Sequence, residues 1–210
     1  MASDPEIQIK QPRTKRGQVT MRKLLDAATA EFGERGFHEA SISSITSRAG
    51  VALGTFYTYF QSKDALFRAL IVDLSGQIRA DASAAIAGEL DPLAIERRAL
   101  HAFLEFASEH KEIYRIIDEA EFVDPEMYRY HYTTIAGRIA QRLRDGSKND
   151  ALRADIGEIE AWAIMGMNVF LGLRYAVWRA ADDAGLDDVS RTANELLERG
   201  LSRGTSETAR

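Results

Sequence analysis

Residues 8–23 hold six cations, Lys10, Arg13, Lys15, Arg16, Arg22 and Lys23, and no acid. Such a run suits contacts to phosphate oxygens, because a cation that neutralises a phosphate also releases its condensed counterion. It reads equally as a solvated basic arm. Further along, Thr55, Tyr57, Thr58 and Tyr59 crowd four hydroxyls into one short segment. Hydroxyls donate to phosphates and base edges, and a tyrosine ring adds contact to sugars and thymine methyls.

For these groups to act together, the chain between them must be folded. Apolar spacing predicts a short helix over 41–49, a turn at Gly50-Val51-Ala52 and a second short helix over 53–60. Ile42, Ile45, Ala49, Val51 and Phe56 form the packed side, which leaves Thr55, Tyr57, Thr58 and Tyr59 for the outer face. A Gly-centred turn of this kind sets the second helix steeply against the first, so that it enters a major groove while the first braces the backbone. The same helix-Gly-helix pattern also occurs in all-α proteins as plain packing.

Helical periodicity governs the rest of the chain as well. A helix begins near Thr20, runs through Leu24, Leu25, Ala28 and Phe32, and stops around 33–36. Ser62 caps a long helix over 63–87 that ends at Gly88. Pro92 sits at the first turn of a helix over 93–110, with Leu100, Phe103, Leu104 and Ala107 on one face. Helices follow over 111–122, from Pro125 to about 144, over 156–181, and over 187–201, where Asp187 and Asp188 complement the dipole. Asp145-Gly146 opens a polar break. The expectation is an all-α chain of about nine helices and no sheet.

Composition bounds the function class. The 210 residues are 45% hydrophobic and 28% charged, an ordinary globular balance. No cysteine is present, which excludes disulfides, thiolate zinc sites, iron–sulfur centres and thiol nucleophiles. The net charge of −5 is uneven: residues 1–63 sum to +3 and the remainder to −8. The most apolar run, 161–173, contains Asn168 and falls short of the ~20 residues of a bilayer span, so no membrane segment is expected. None of His38, His101, His110 and His131 follows a glutamate by three positions, as a di-iron bundle requires. Zinc-protease, serine-hydrolase and nucleotide-binding motifs are also missing. No catalytic residue, metal ligand or cofactor is therefore nominated.

Gly36-Phe37, then Ser41-Ile42-Ser43-Ser44-Ile45, then the unbroken run from Ala49-Gly50-Val51 through Gly54-Thr55-Phe56-Tyr57-Thr58-Tyr59-Phe60 to Lys63-Asp64-Ala65-Leu66 resemble the DNA-binding domain of the TetR family of transcriptional repressors. The likeness covers about 19–67. It implies an all-α homodimer that grips a palindromic double-stranded operator and holds a small inducer in its C-terminal domain, in the cytoplasm. By the same likeness Thr55, Tyr57 and Tyr59 lie on the recognition helix, Ser43 and Arg48 on the supporting helix, and Lys63 at a phosphate-contacting helix start. Arg16 joins them from the basic arm. Ala40, Thr46 and Ala52 depart from the family pattern, and Ala52 removes a side-chain cap.

The expected organisation is an arm at 1–18, a DNA-binding domain at 19–67, a ligand and dimerisation domain at 68–201 and a flexible tail at 202–210. Phe103, Phe106, Tyr114, Ile117, Tyr128, Tyr132, Trp162, Met165 and Phe170 are nominated to line an inducer site, with His131 and Asn168 as polar anchors. The inducer is expected to be mostly apolar, either aromatic or acyl. Small residues in the last two helices (Gly166, Gly172, Ala176, Ala180, Ala193, Gly200) point to close approach of another helix or of a ligand; the resemblance implies a dimer interface there, and packing within one subunit is the other reading. An activator, or a helical scaffold that binds only proteins, is the alternative function.

Overall fold

A computed structural model describes residues 12–202. Among them are nine α-helices and no strand: α1 (Lys15–Glu39), α2 (Ile42–Ala49), α3 (Leu53–Tyr59), α4 (Lys63–Ala85), α5 (Pro92–Glu109), α6 (Glu112–Val123), α7 (Pro125–Lys148), α8 (Glu158–Gly172) and α9 (Leu186–Leu201). A π-helical turn, Leu173–Val177, follows α8. The all-α expectation is met. No helix of the described residues is long and apolar enough to cross a membrane.

Backbone contacts divide the chain into two compact units, Met1–Gln77 with His110–Tyr132, and Ile78–Glu109 with Thr133–Arg210. The first is wider than the 19–67 domain expected from sequence because α6 packs on α1. Ile113, Ile116, Ile117 and Ala120 of α6 are buried, and the Arg115 guanidinium donates to the carbonyls of Gly33 (3.1 Å) and Glu34 (3.0 Å). The expected arm at 1–18 and tail at 202–210 fall largely outside the described residues.

In the first unit, α1 starts earlier than expected: Thr14, not Thr20, is the cap, accepting the Gly17 N–H at 3.1 Å. Thr20 sits inside the helix and donates to the Arg16 carbonyl. The stop expected around 33–36 is met by a break at Gly36, although helical residues resume and α1 runs on to Glu39. Regular geometry breaks only at Gly36, with φ +81° and ψ +167°. The Ser41 and Ser44 side chains cap each other's backbone N–H at the start of α2. Gly50 closes α2 in the left-handed region. At the uncapped start of α3 the Thr55 N–H donates to the Ala52 carbonyl at 2.8 Å. Leu24, Ile45, Leu66 and Leu70 are fully buried, and the Phe32, Phe37 and Phe67 rings meet edge to face or tilted at 4.9–5.6 Å.

The second unit is centred on Leu100, Leu104, Val189 and Ala193, with Phe103, Met167, Leu171 and Tyr175 packed against them. The break expected at Asp145-Gly146 does not occur there, since α7 continues to Lys148. Gly146 is instead a close-approach position: a Cβ on it would lie 2.8 Å from Pro92 Cγ and 2.9 Å from Leu152 Cδ1. The helix expected over 156–181 ends with the π turn. There Arg174 grips Asp183 through two 2.7 Å bonds, and with the Ala180 N–H holds its carboxyl down at about 2.

Candidate functional site

The outer face of α3 is open to solvent. Only Phe56 of its seven residues is buried, whereas Tyr57 is 56% and Leu53 51% exposed. Thr58 and Gly54 are exposed as well. The Tyr57 ring meets Phe56 edge to face at 5.3 Å. Thr55 and Tyr59 are half-buried, and the Tyr59 hydroxyl lies beside Gly17 at the start of α1. Ser43 on α2 and Arg16 on α1 are exposed, as are Arg13, Lys15 and Lys23. Lys10 lies outside the described residues.

Two of the expected phosphate contacts are otherwise engaged. Arg48 Nε donates to Glu31 at 2.8 Å, and its two terminal nitrogens bind both oxygens of Glu34. The Arg48 bonds hold the Glu34 carboxyl below its usual range. The Ser44 hydroxyl, and after it Arg48, do the same for Glu31. Arg48 therefore ties α2 to α1. Arg22 is likewise engaged, with Asp73 and Asp26.

Lys63 departs furthest from its expected role. Its Nζ donates to the carbonyls of Phe37 (2.6 Å), Ala40 (2.8 Å) and His38 (3.3 Å), and lies 4.4 Å from the Phe37 ring centre. Three donors meet three acceptors, so the ammonium anchors the segment that follows the Gly36 break. Lys63→Met is expected to destabilise the protein by about 1–3 kcal/mol in urea unfolding, while the salt slope of DNA binding stays unchanged. A slope lower by about one with unchanged stability would return Lys63 to the phosphate backbone.

The nominated ligand residues separate. Phe103, Met165 and Asn168 line a cavity of about 90 Å³ in the second unit, which also takes in Ile78, Arg79, Arg138, Arg142 and Val169. Phe106 is buried in the same unit but is not in that lining. Trp162 and Phe170 lie on the surface, Phe170 70% exposed and Trp162 with its Nε1 on Glu158. Tyr114, Ile117, Tyr128, His131 and Tyr132 belong to the first unit. His131, nominated as the first anchor, is buried with Nδ1 2.7 Å from the Ser75 hydroxyl. The Tyr128 and Tyr132 rings meet edge to face at 5.0 Å. Burial raises the phenols of Tyr114 and Tyr132 above their ordinary range, and burial followed by Glu121 raises the carboxyl of Asp118. Sequence reading missed the three cavity arginines. Their trace was the i, i+4 pairing of Arg138 with Arg142 beside Ile135 and Ile139 on α7.

Against known proteins, the family model described as "Bacterial regulatory proteins, tetR family" matches residues 24–70. The chain is similar to the uncharacterized HTH-type transcriptional regulator YdgC of Bacillus subtilis, 36% identical over 115 residues, 53% of this chain and 57% of that protein. It thus spans little more than half the length of that relative. To the HTH-type transcriptional regulator UidR of Escherichia coli it is 28% identical over 193 residues, covering 84% of this chain and 87% of the other. Among solved structures it resembles a TetR-like transcriptional regulator from Rhodococcus sp. RHA1, with a TM-score of 0.69, 26% identity and coverage of 91% and 98%.

Proposed function

Because the chain belongs to the TetR family of transcriptional regulators, and is a DNA-binding regulator rather than an enzyme, we propose that it is a cytoplasmic repressor whose two copies bind a palindromic duplex until a small, mostly apolar ligand releases them. The observation that carries this reading is the outer face of α3, where Tyr57, Thr58 and Leu53 stand clear of the protein. Arg16 and Ser43, both exposed, and Thr55 and Tyr59, half-buried on α3, are assigned to phosphate contact beside it. The second copy is supported by the apolar surface of α8 and α9. Ile159, Phe170 and Leu196 are exposed there, and a Cβ on Gly166 or Gly200 would meet no neighbour within 4 Å. Release is supported by the cavity lined by Phe103, Met165 and Asn168. A ligand acts on DNA binding only through unequal affinity for two arrangements of the dimer, one of which spaces the α3 helices by about 34–36 Å or a multiple of it.

Binding to duplexes from the gene's own promoter region, followed at several salt concentrations, tests the reading. Affinity is expected to fall steeply with salt, light scattering to give twice the chain mass, and Tyr57→Ala to weaken operator binding about tenfold or more with altered base preference. A particle of single-chain mass that leaves no footprint overturns the proposal.

A further inference from the structure

We infer that Leu53 is a specificity-determining residue of the DNA interface: its side chain packs on the 5-methyl group of a thymine in each operator half-site. This rests on the reading of α3 as the DNA-contacting helix and names what one of its residues reads. The seven residues of α3 are Leu, Gly, Thr, Phe, Tyr, Thr and Tyr. None is an arginine, lysine, asparagine, glutamine or carboxylate, the side chains that pair bidentately with guanine or adenine or accept from cytosine. The amides of Gln18 and Gln61 lie on α1 and beyond the Phe60 cap. What α3 offers to base edges is therefore single hydroxyl bonds and apolar surface.

Leu53 and Tyr57 stand four residues apart, on one face of the helix, and both are more than half exposed. Covering them with an apolar group releases hydrophobic free energy that a purely polar base edge does not. In helix-turn-helix docking the first residues of the second helix meet base edges in the major groove, and Leu53 is the first residue of α3. Its neighbour Gly54 has no side chain, and a Cβ there would meet nothing within 4 Å, so no adjacent bulk holds Leu53 off the groove floor. An A·T pair presents one apolar group on that floor, the thymine 5-methyl. At a G·C pair the same leucine would cover the cytosine amino group or the guanine acceptors and leave them without partners. The leucine thus selects thymine twice, by burying a methyl and by penalising the alternative.

Binding of the full chain to a footprinted duplex from the gene's own promoter region tests the assignment, with deoxyuridine replacing thymine at one symmetric pair of positions at a time. The replacement removes the methyl and keeps the base pairing. At one such pair the parent's affinity is expected to fall about 10–20-fold, roughly fourfold for each methyl withdrawn from contact. Leu53→Ala, an exposed change at a helical position that alanine favours, should bind the thymine duplex correspondingly more weakly and lose its sensitivity at that pair alone, with an unchanged salt slope. Cytosine at that pair should weaken the parent further, and 5-methylcytosine should recover part of the loss. If no deoxyuridine pair lowers the parent's affinity, or if Leu53→Ala keeps the parent's full pattern of sensitivity, the assignment falls, while salt-dependent binding leaves the DNA-binding reading in place. A chain that binds no promoter duplex overturns both.

Discussion

Arg142→Ala is expected to destabilise the protein by about 3–5 kcal/mol. The Arg142 side chain is 23% exposed and that of its partner Glu96 only 2%, and two short bonds join them. Truncation leaves the buried Glu96 carboxylate with the guanidinium that bonds both its oxygens gone. Taking a charge from water costs several kcal/mol when its partner is gone. The pair itself need not be a large net stabiliser, because its attraction mostly repays its own desolvation. The double change Glu96→Leu with Arg142→Met, which keeps volume and removes both charges, is therefore expected to lie within about 1–2 kcal/mol of the parent. Urea unfolding of Arg142→Ala and of the four proteins in the cycle (the parent, Glu96→Leu, Arg142→Met and the double variant) decides the matter. A single variant that costs less than about 1 kcal/mol shows that water reaches Glu96.

The second large effect is expected at Gly36. With φ +81° and ψ +167° the residue occupies a region essentially reserved for glycine. A Cβ there would also fall 2.5 Å from Glu119 Oε1 and 2.8 Å from Arg115 Nη2. Neither side chain moves freely, since Glu119 accepts the Phe37 N–H and Arg115 holds the Gly33 and Glu34 carbonyls. Gly36→Ala is expected to cost about 2–4 kcal/mol, the backbone strain plus one broken contact. Gly50 offers the control. Its φ is also positive, +66°, but a Cβ would meet nothing within 4 Å, so Gly50→Ala should cost only about 1–2 kcal/mol. Equal denaturation midpoints for the two variants would remove the role assigned to Glu119 and Arg115.

Much of the fold is written locally and is legible for that reason. Ser41, Ser44 and Gly50 delimit α2 through bonds no more than five residues long, and Pro92 marks the start of α5. What escaped the sequence depends on distant partners. Gly146 looks like a helix end until Pro92 and Leu152 are seen against it. The first turns of α1 are polar and carry no apolar stripe, so Thr14 gave no sign of being the cap. Lys63 sits at the spacing of a phosphate contact, yet its donors meet carbonyls 23 to 26 residues back in the chain. The ligand residues show the same limit. Ring density between 103 and 178 was visible, but its division between a cavity, a tyrosine cluster in the first unit and an exposed surface was not.

The construction of α3 bears on how such a protein changes its target over generations. One inward side chain, Phe56, holds the helix to its unit, helped by Phe60 just beyond it. The turn before it is kept by the Gly50 backbone and the Thr55-to-Ala52 bond rather than by side chains on the reading surface. Positions 53, 54, 57 and 58 are exposed, Tyr57 touches the Phe56 ring, and a Cβ on Gly54 would meet nothing within 4 Å. On the proposed reading of α3 as the DNA-contacting helix, selection can rewrite those four letters, and with them the DNA word, while the folding of the domain goes on unaltered.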